Sequence, residues 1–337
     1  VNFCWTHIYS GLFRCPWPEC AEGQAEAEFE FRGKHVFRQR FGDVVDQPVY
    51  AWIIDGVNAA HVAAQLTRRA IAQVNGAPSL AEDGYLYHFT SAAGLQGILA
   101  SGELWLTDYR DFKDDAEIRD GLAVAKAILD TFSPDVHNHT REILRRLVGS
   151  PLAGEVYVAC FCMLKDAPYH WSEHAAESSG AALVIDPLGF EPLIASDPFA
   201  IQFSRVAYVW DVKAGLFAHL AVWFDELIRF DVARKVFDAE ACQREMAQIF
   251  SELLPMCKDV SFFREHEVRL VVSPACSKFG LASRLYARRQ NGRRYVTTRD
   301  VLGDFNLPIE RVLLGPMFAE DIRSLNVETS KLEQLRA

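Results

Sequence analysis

Between Tyr85 and Thr90 aromatic residues alternate with Leu86, His88 and Thr90. Side chains on a strand switch faces at every residue, so this stretch predicts a strand with His88 and Thr90 on one face. In the next residues Leu95, Ile98 and Leu99 recur at helical spacing, Thr90 or Ser91 offers a cap, and Gly102 stands where a helix ends in left-handed geometry. Gly102 to Thr107 then returns to an extended pattern, giving a strand–helix–strand unit with a tight turn.

The same reading predicts buried strands at 156–162 and 180–186, a strand at 201–210 and a last strand at 311–316 leading into a helix from Ala319. Helical periodicity covers 121–132, 140–147 and, more extensively, 214–257, where Leu216, Leu220, Trp223, Phe224 and Leu227 give a packing stripe. In 260–272 the apolar Val268, Leu270 and Val272 oppose Glu265, Glu267 and Arg269, so the three charged residues are expected on one strand face. Upstream, 26–39 reads as a hairpin, 49–54 as a strand and 58–74 as a helix, joined by the turn-rich 75–79. The chain therefore divides into a small α/β N-terminal element, 1–80, and a larger α+β domain over 84–327 with a helical insertion at 214–257.

Composition narrows the class. Half of the 337 residues are hydrophobic and 24% are charged, as in an ordinary globular protein. No apolar run approaches the roughly 20 residues that span a bilayer, which argues against a membrane protein. A net charge of -10 disfavours a broad duplex nucleic-acid footprint; positive charge concentrates at Arg284, Arg288, Arg289, Arg293 and Arg294, read as a solvated face or a local phosphate contact. Eight cysteines without a dense framework, and no visible export signal, fit reduced thiols and a cytoplasmic setting.

Candidate chemistry is sparse. Cys15 and Cys20, with Cys4 and His7, lack the spacing of a zinc knuckle, and no metal is expected. Cys160 and Cys162 read as small buried hydrophobes, His137 and His139 as loop residues. The carboxylates Asp108, Asp111, Asp114, Asp115, Glu117 and Asp120 read as a solvated helix entry, since they lack a calcium-loop pattern. Trp171 and His174 lie one helical turn apart and are placed either to clamp a flat ring or to plug the core. Glu265, Glu267 and Arg269 need partners or a ligand if their strand is covered.

Several segments in order resemble the bacterial domain-of-unknown-function family 2971: Leu86-Tyr-His-Phe-Thr90 with its helix and Gly102-Glu-Leu-Trp-Leu106, Asp114-Asp-Ala-Glu117, Cys160-Phe-Cys-Met163 with Trp171, Gly180 to Asp186, Phe263-Arg-Glu-His-Glu-Val-Arg269 and Ile309 to Pro316. That family is distantly similar to the ADP-ribosyltransferase fold, through Tyr87-His-Phe-Thr90, the Ile98, Leu99 and Gly102 turn, and a late strand glutamate. The resemblance implies a split antiparallel sheet with helical insertions. It implies NAD as substrate, with His88 and Thr90 holding its ribose, Trp171 and His174 against the nicotinamide and Arg269 also binding it, and with Glu267 or Glu265 as the catalytic carboxylate, assisted by His88. The expected activity is transfer to an unidentified protein or nucleic-acid acceptor in bacterial defence or as a toxin; the alternatives are a non-catalytic nucleotide-binding or sensor module and a nucleotide or nucleic-acid hydrolase.

Overall fold

The alternation at the start of the larger domain becomes strand β1 (Leu86–Thr90), followed by helix α1 (Ala92–Ser101) and strand β2 (Trp105–Asp108). The Ser91 hydroxyl accepts from the Gly94 N–H at 3.1 Å and so satisfies one orphan donor of the first turn. At the other end Gly102, with φ of 69°, donates its N–H to the Ile98 carbonyl. Leu95 buries under the sheet while Ile98 and Leu99 pack beside it.

The computed structural model describes residues 84–318, except 113–114, 132–136, 150–153, 166, 191–193, 195–199, 234, 236, 277–280 and 304. The expectations for residues 1–80, for the Cys15 and Cys20 pair and for the helix from Ala319 lie outside the described residues. The described residues within Asn75–Asp120, Gly154–Val209 and Leu254–Ala337 form a sheet unit, and those within Gly121–Ala153 and Trp210–Leu253 a helical unit.

Strand β3 (Tyr157–Cys162) organises the sheet unit. Along its whole length one edge pairs antiparallel with β6 (Glu267–Val272), which in turn pairs with β5 (Ile201–Arg205). Its other edge is shared: β2 pairs at Tyr157 and Val158, and β1 only at Cys162, opposite Tyr87. From β1 the sheet continues through β4 (Ala181–Ile185) to β9 (Ile309–Leu314). From β2 it continues through β8 (Arg293–Thr297) to β7 (Arg288–Gln290). The two wings thus part along the middle of β3, and among the described residues these named strands pair antiparallel throughout. The protein is α+β with a mostly antiparallel open sheet, as expected.

Register assigns the faces. Leu86, Phe161, Leu183, Val268, Leu270 and Val296 build the main core under α1, while Tyr87, Phe89, Cys162, Ala182 and Val184 form a second layer under helix α4 (Pro168–His174). Gly180 is required at the entry to β4, because a Cβ there would stand 2.2 Å from the Thr90 carbonyl oxygen.

The helical insertion is double. Helices α2 (Asp115–Thr131) and α3 (Asn138–Gly149) come from one excursion; α5 (Trp210–Ala233) and α6 (Ala239–Leu253) come from the other, which the sequence pattern had merged into one segment. Ile143, Leu144, Leu147, Leu220, Phe224, Ile249 and Phe250 are buried within it. Asp225 pins α3, accepting from the His137 backbone N–H and the Thr140 hydroxyl at 2.7 Å each and from Arg229 at 2.6 Å. No helix among the described residues is long and apolar enough to cross a membrane.

Two expectations are corrected here. The strand at 201–210 ends at Arg205, and its last residue, Trp210, already begins α5. The acidic stretch is not wholly a solvated helix entry. Asp108 is fully buried and accepts from Arg110 Nε and Nη2 at 2.9 and 2.6 Å, with Arg294 Nη2 at 3.3 Å from its Oδ2. Asp111 accepts from the Arg294 backbone N–H and guanidinium at 2.7 and 3.0 Å. These carboxylates fasten the turn after β2 to β8, so part of the basic cluster serves the fold.

Candidate functional site

Where β1 and β2 part, the β3 edge has a gap that a side chain fills. His88 Nδ1 lies 2.9 Å from the Cys160 carbonyl oxygen, one residue beyond the single β1–β3 register pair. A cavity of about 280 Å³ opens at this parting, with His88, Cys160 and Cys162 on its strand wall and Glu265, Glu267 and Arg269 across from them.

Strand parity explains part of this arrangement. Cys160 is opposite Arg269 and Cys162 opposite Glu267, so these four share one sheet face with Tyr87. His88 belongs by parity to the other face, beside Leu86, and its ring stands 5.8 Å from that of Phe161. It nonetheless lines the same cavity as Glu267, next to the point where β1 and β2 part on β3. Glu265 is a correction. It lies not on the strand but at the end of a 3-10 turn, Val260–Glu265, and the left-handed His266 (φ 42°) turns the chain between the two glutamates.

The carboxylates meet in a buried four-charge network. Arg269, 1% exposed, donates Nε and Nη2 to the two oxygens of Glu267 at 2.8 and 2.9 Å, and Nη1 to the Pro255 carbonyl at 2.6 Å. Lys258 bridges Glu265 at 2.5 Å and Glu267 at 3.3 Å, while lying 4.9 Å from the Phe262 ring centre. The Arg269 guanidinium in turn faces the Phe112 ring at 5.6 Å. Two cations thus balance two carboxylates, the condition under which buried charge is tolerated.

The network separates the two carboxyl groups. Burial raises the Glu267 carboxyl, but the charge and hydrogen bonds of Arg269, with Lys258 behind them, overcome it and hold the group at about 2. Burial also raises Glu265, and there Lys258 does not fully offset it. Glu267 therefore stays ionised, and Glu265 is the one poised to exchange a proton.

Helix α4 supplies the remaining wall. Trp171 does not line the cavity: it is buried edge-on against Phe89, ring centres 5.0 Å apart, so it plugs the core. His170 takes the place expected of it, lining the cavity with the exposed His174 one turn on, 5.5 Å between rings. Burial, with His174 adding to it, lowers His170 to about 4, and its ring is tied to the Glu265 backbone. Burial likewise lowers His88. Tyr169 donates its hydroxyl to Glu265 at 3.4 Å. Thr90 lies outside the cavity lining.

Cys160 and Cys162 are also more than core filler. Cys160 is half-buried and hydrogen-bonds the Glu267 carboxylate, and Cys162 stands 3.9 Å from His170 Nδ1. Burial pushes the Cys162 thiol up to about 12, so it is held as a neutral thiol and not as a nucleophile.

Lys258, His170 and Phe112 were missed by sequence reasoning. Lys258 follows a buried segment that joins the sheet by an isolated bridge between Ala207 and Cys257, a pairing with no periodicity to announce it. The only available signal was the demand of two glutamates for a cation. Among the described residues no cluster of side chains suited to a metal ion is present.

The chain matches no protein-family model, no curated protein and no solved structure.

Proposed function

We propose that the cavity binds the nicotinamide–ribose end of NAD and that the protein is an ADP-ribosyltransferase-like enzyme. The observation that carries this reading is the convergence of His88 and the Glu265/Glu267 pair on one cavity where the β1 and β2 wings part on β3. That parting supports the likeness to the ADP-ribosyltransferase fold, and through it a role in bacterial defence acting on a protein or nucleic-acid acceptor.

In this reading the bond from ribose C1′ to the nicotinamide nitrogen breaks, and its electron pair leaves with the ring, which becomes neutral. Positive charge on the ribose is stabilised by Glu267, whose carboxyl Arg269 and Lys258 hold in the ionised form. Glu265 takes the proton of the acceptor group as that group bonds to C1′. His88 orients the ribose, and His174 flanks the ring.

A second reading, ligand binding without turnover, is favoured by one observation: both Glu267 oxygens are already engaged by Arg269 and Lys258. Incubation of the full chain with NAD labelled in its adenosine half, together with cell lysate, separates the two. The enzyme reading predicts label on a macromolecule, reduced about 100-fold or more in Glu267→Gln. Retained NAD binding without transfer in the wild type supports the binding module instead.

A further inference from the structure

The β2–β8–β7 wing presents a surface that the cavity chemistry does not use. Thr107 pairs with Val158, so Thr107 and Trp105 stand on the sheet face that carries Cys160, Glu267 and Arg269. Tyr295 pairs with Thr107, Arg288 with Tyr295, and Gln290 with Arg293, which places Tyr295, Arg288 and Arg293 on that face too. Trp105 is 47% exposed, and its ring stacks on Tyr295 with centres 4.2 Å apart and 23° between planes. Tyr286, just before β7, is 82% exposed.

Apolar aromatic surface left open to water beside arginines has a specific use. A stacked pair held by a sheet is a flat platform for a further ring, and bases of any sequence stack on it while cations track the phosphates. Here Arg288, Arg289, Arg293, Arg294 and Arg299 crowd within a dozen residues of a chain whose net charge is -10. Arg294 is committed to Asp108 and Asp111. Arg288 holds both oxygens of Asp300, and Arg299 pairs with Glu103 and donates to the Ser101 carbonyl, all at partly exposed positions. A duplex hides its base faces and offers this platform nothing to stack on.

We infer that the Trp105–Tyr295 platform, with Arg288 and Arg293 beside it on the same face, binds single-stranded nucleic acid. The inference stands independently of the reaction in the cavity.

Titrating a fluorescein-labelled dT12 into the full chain at low salt, with anisotropy as the readout, tests it. Wild type binds, Trp105→Ala weakens binding about tenfold or more, and Trp105→Phe, which keeps a stacking face, stays near wild type. Arg293→Gln lowers the salt dependence by about 0.7 in the slope of log K against log salt. The titration contains no NAD, so failure of the NAD reading does not imitate failure here. No binding by wild type, equal binding by Trp105→Ala and wild type with unchanged circular dichroism, or a preference for duplex of the same length would each overturn the assignment.

Discussion

Arg269 is nearly inaccessible to water, yet three of its donor hydrogens find acceptors, two on Glu267 and one on a backbone carbonyl. Such a group is costly only when a partner is lost: removing one member of a buried pair typically destabilises by about 3–5 kcal/mol. Glu267 variants must therefore be judged on stability as well as turnover. The same burial sets a pH dependence. His170 titrates near 4 in the folded chain against 6.5 unfolded, so its contribution to stability is complete above about 6.5 and is lost as pH falls towards 4. His88, also lowered, acts in the same sense. Glu265, raised, acts in the opposite sense, losing its contribution as pH rises from its unfolded value through its folded one. We expect urea midpoints at pH 7 and pH 5 to show a loss of roughly 2 kcal/mol from His170 in wild type, and a smaller loss in His170→Gln. Equal losses in the two proteins would contradict this. At this scale the sequence disclosed Glu267, Arg269 and their shared face, since a period of two suffices for that. It did not disclose Lys258 or the exchange of roles between Trp171 and His170, because both depend on which neighbour the folded chain brings up.

Strands and helices were legible wherever a single period governed several residues, as in β1, α1, β3 and β6. The β7–β8 hairpin was not, because Arg288 to Gln290 and Arg293 to Thr297 are short and mostly polar and hold their place through partners elsewhere. Asp108 is the clearest of those partners. It caps its own turn through the Arg110 N–H, grips the Arg110 side chain and reaches Arg294 on β8, all while fully buried. Sequence composition made it look like one more surface carboxylate. Asp108→Asn keeps the shape but removes the charge that both guanidinium groups share, and should lower the unfolding free energy by about 1.5–3 kcal/mol, the usual contribution of a hydrogen bond to a charged group. A change within about 0.5 kcal/mol in urea unfolding would return Asp108 to the class of ordinary surface residues.

On the scale of the molecule, one sheet is interrupted twice by helical excursions that pack together, and the interruptions leave the cavity wholly within the sheet unit. The α+β class and an insertion after the fifth strand were readable from periodicity. That β1 and β2 would share one edge of β3 and part there was not, since strand order is set by long-range pairing and not by local pattern. This parting brings His88, from the opposite sheet face, to the glutamates. The most direct test of that convergence is release of nicotinamide from NAD by the full chain, followed in a single turnover. Wild type should release it, and Glu267→Gln, shown by cooperative urea unfolding to be folded, should lose about 100-fold or more while still binding NAD. A wild type that neither binds NAD nor releases nicotinamide from it would contradict the account.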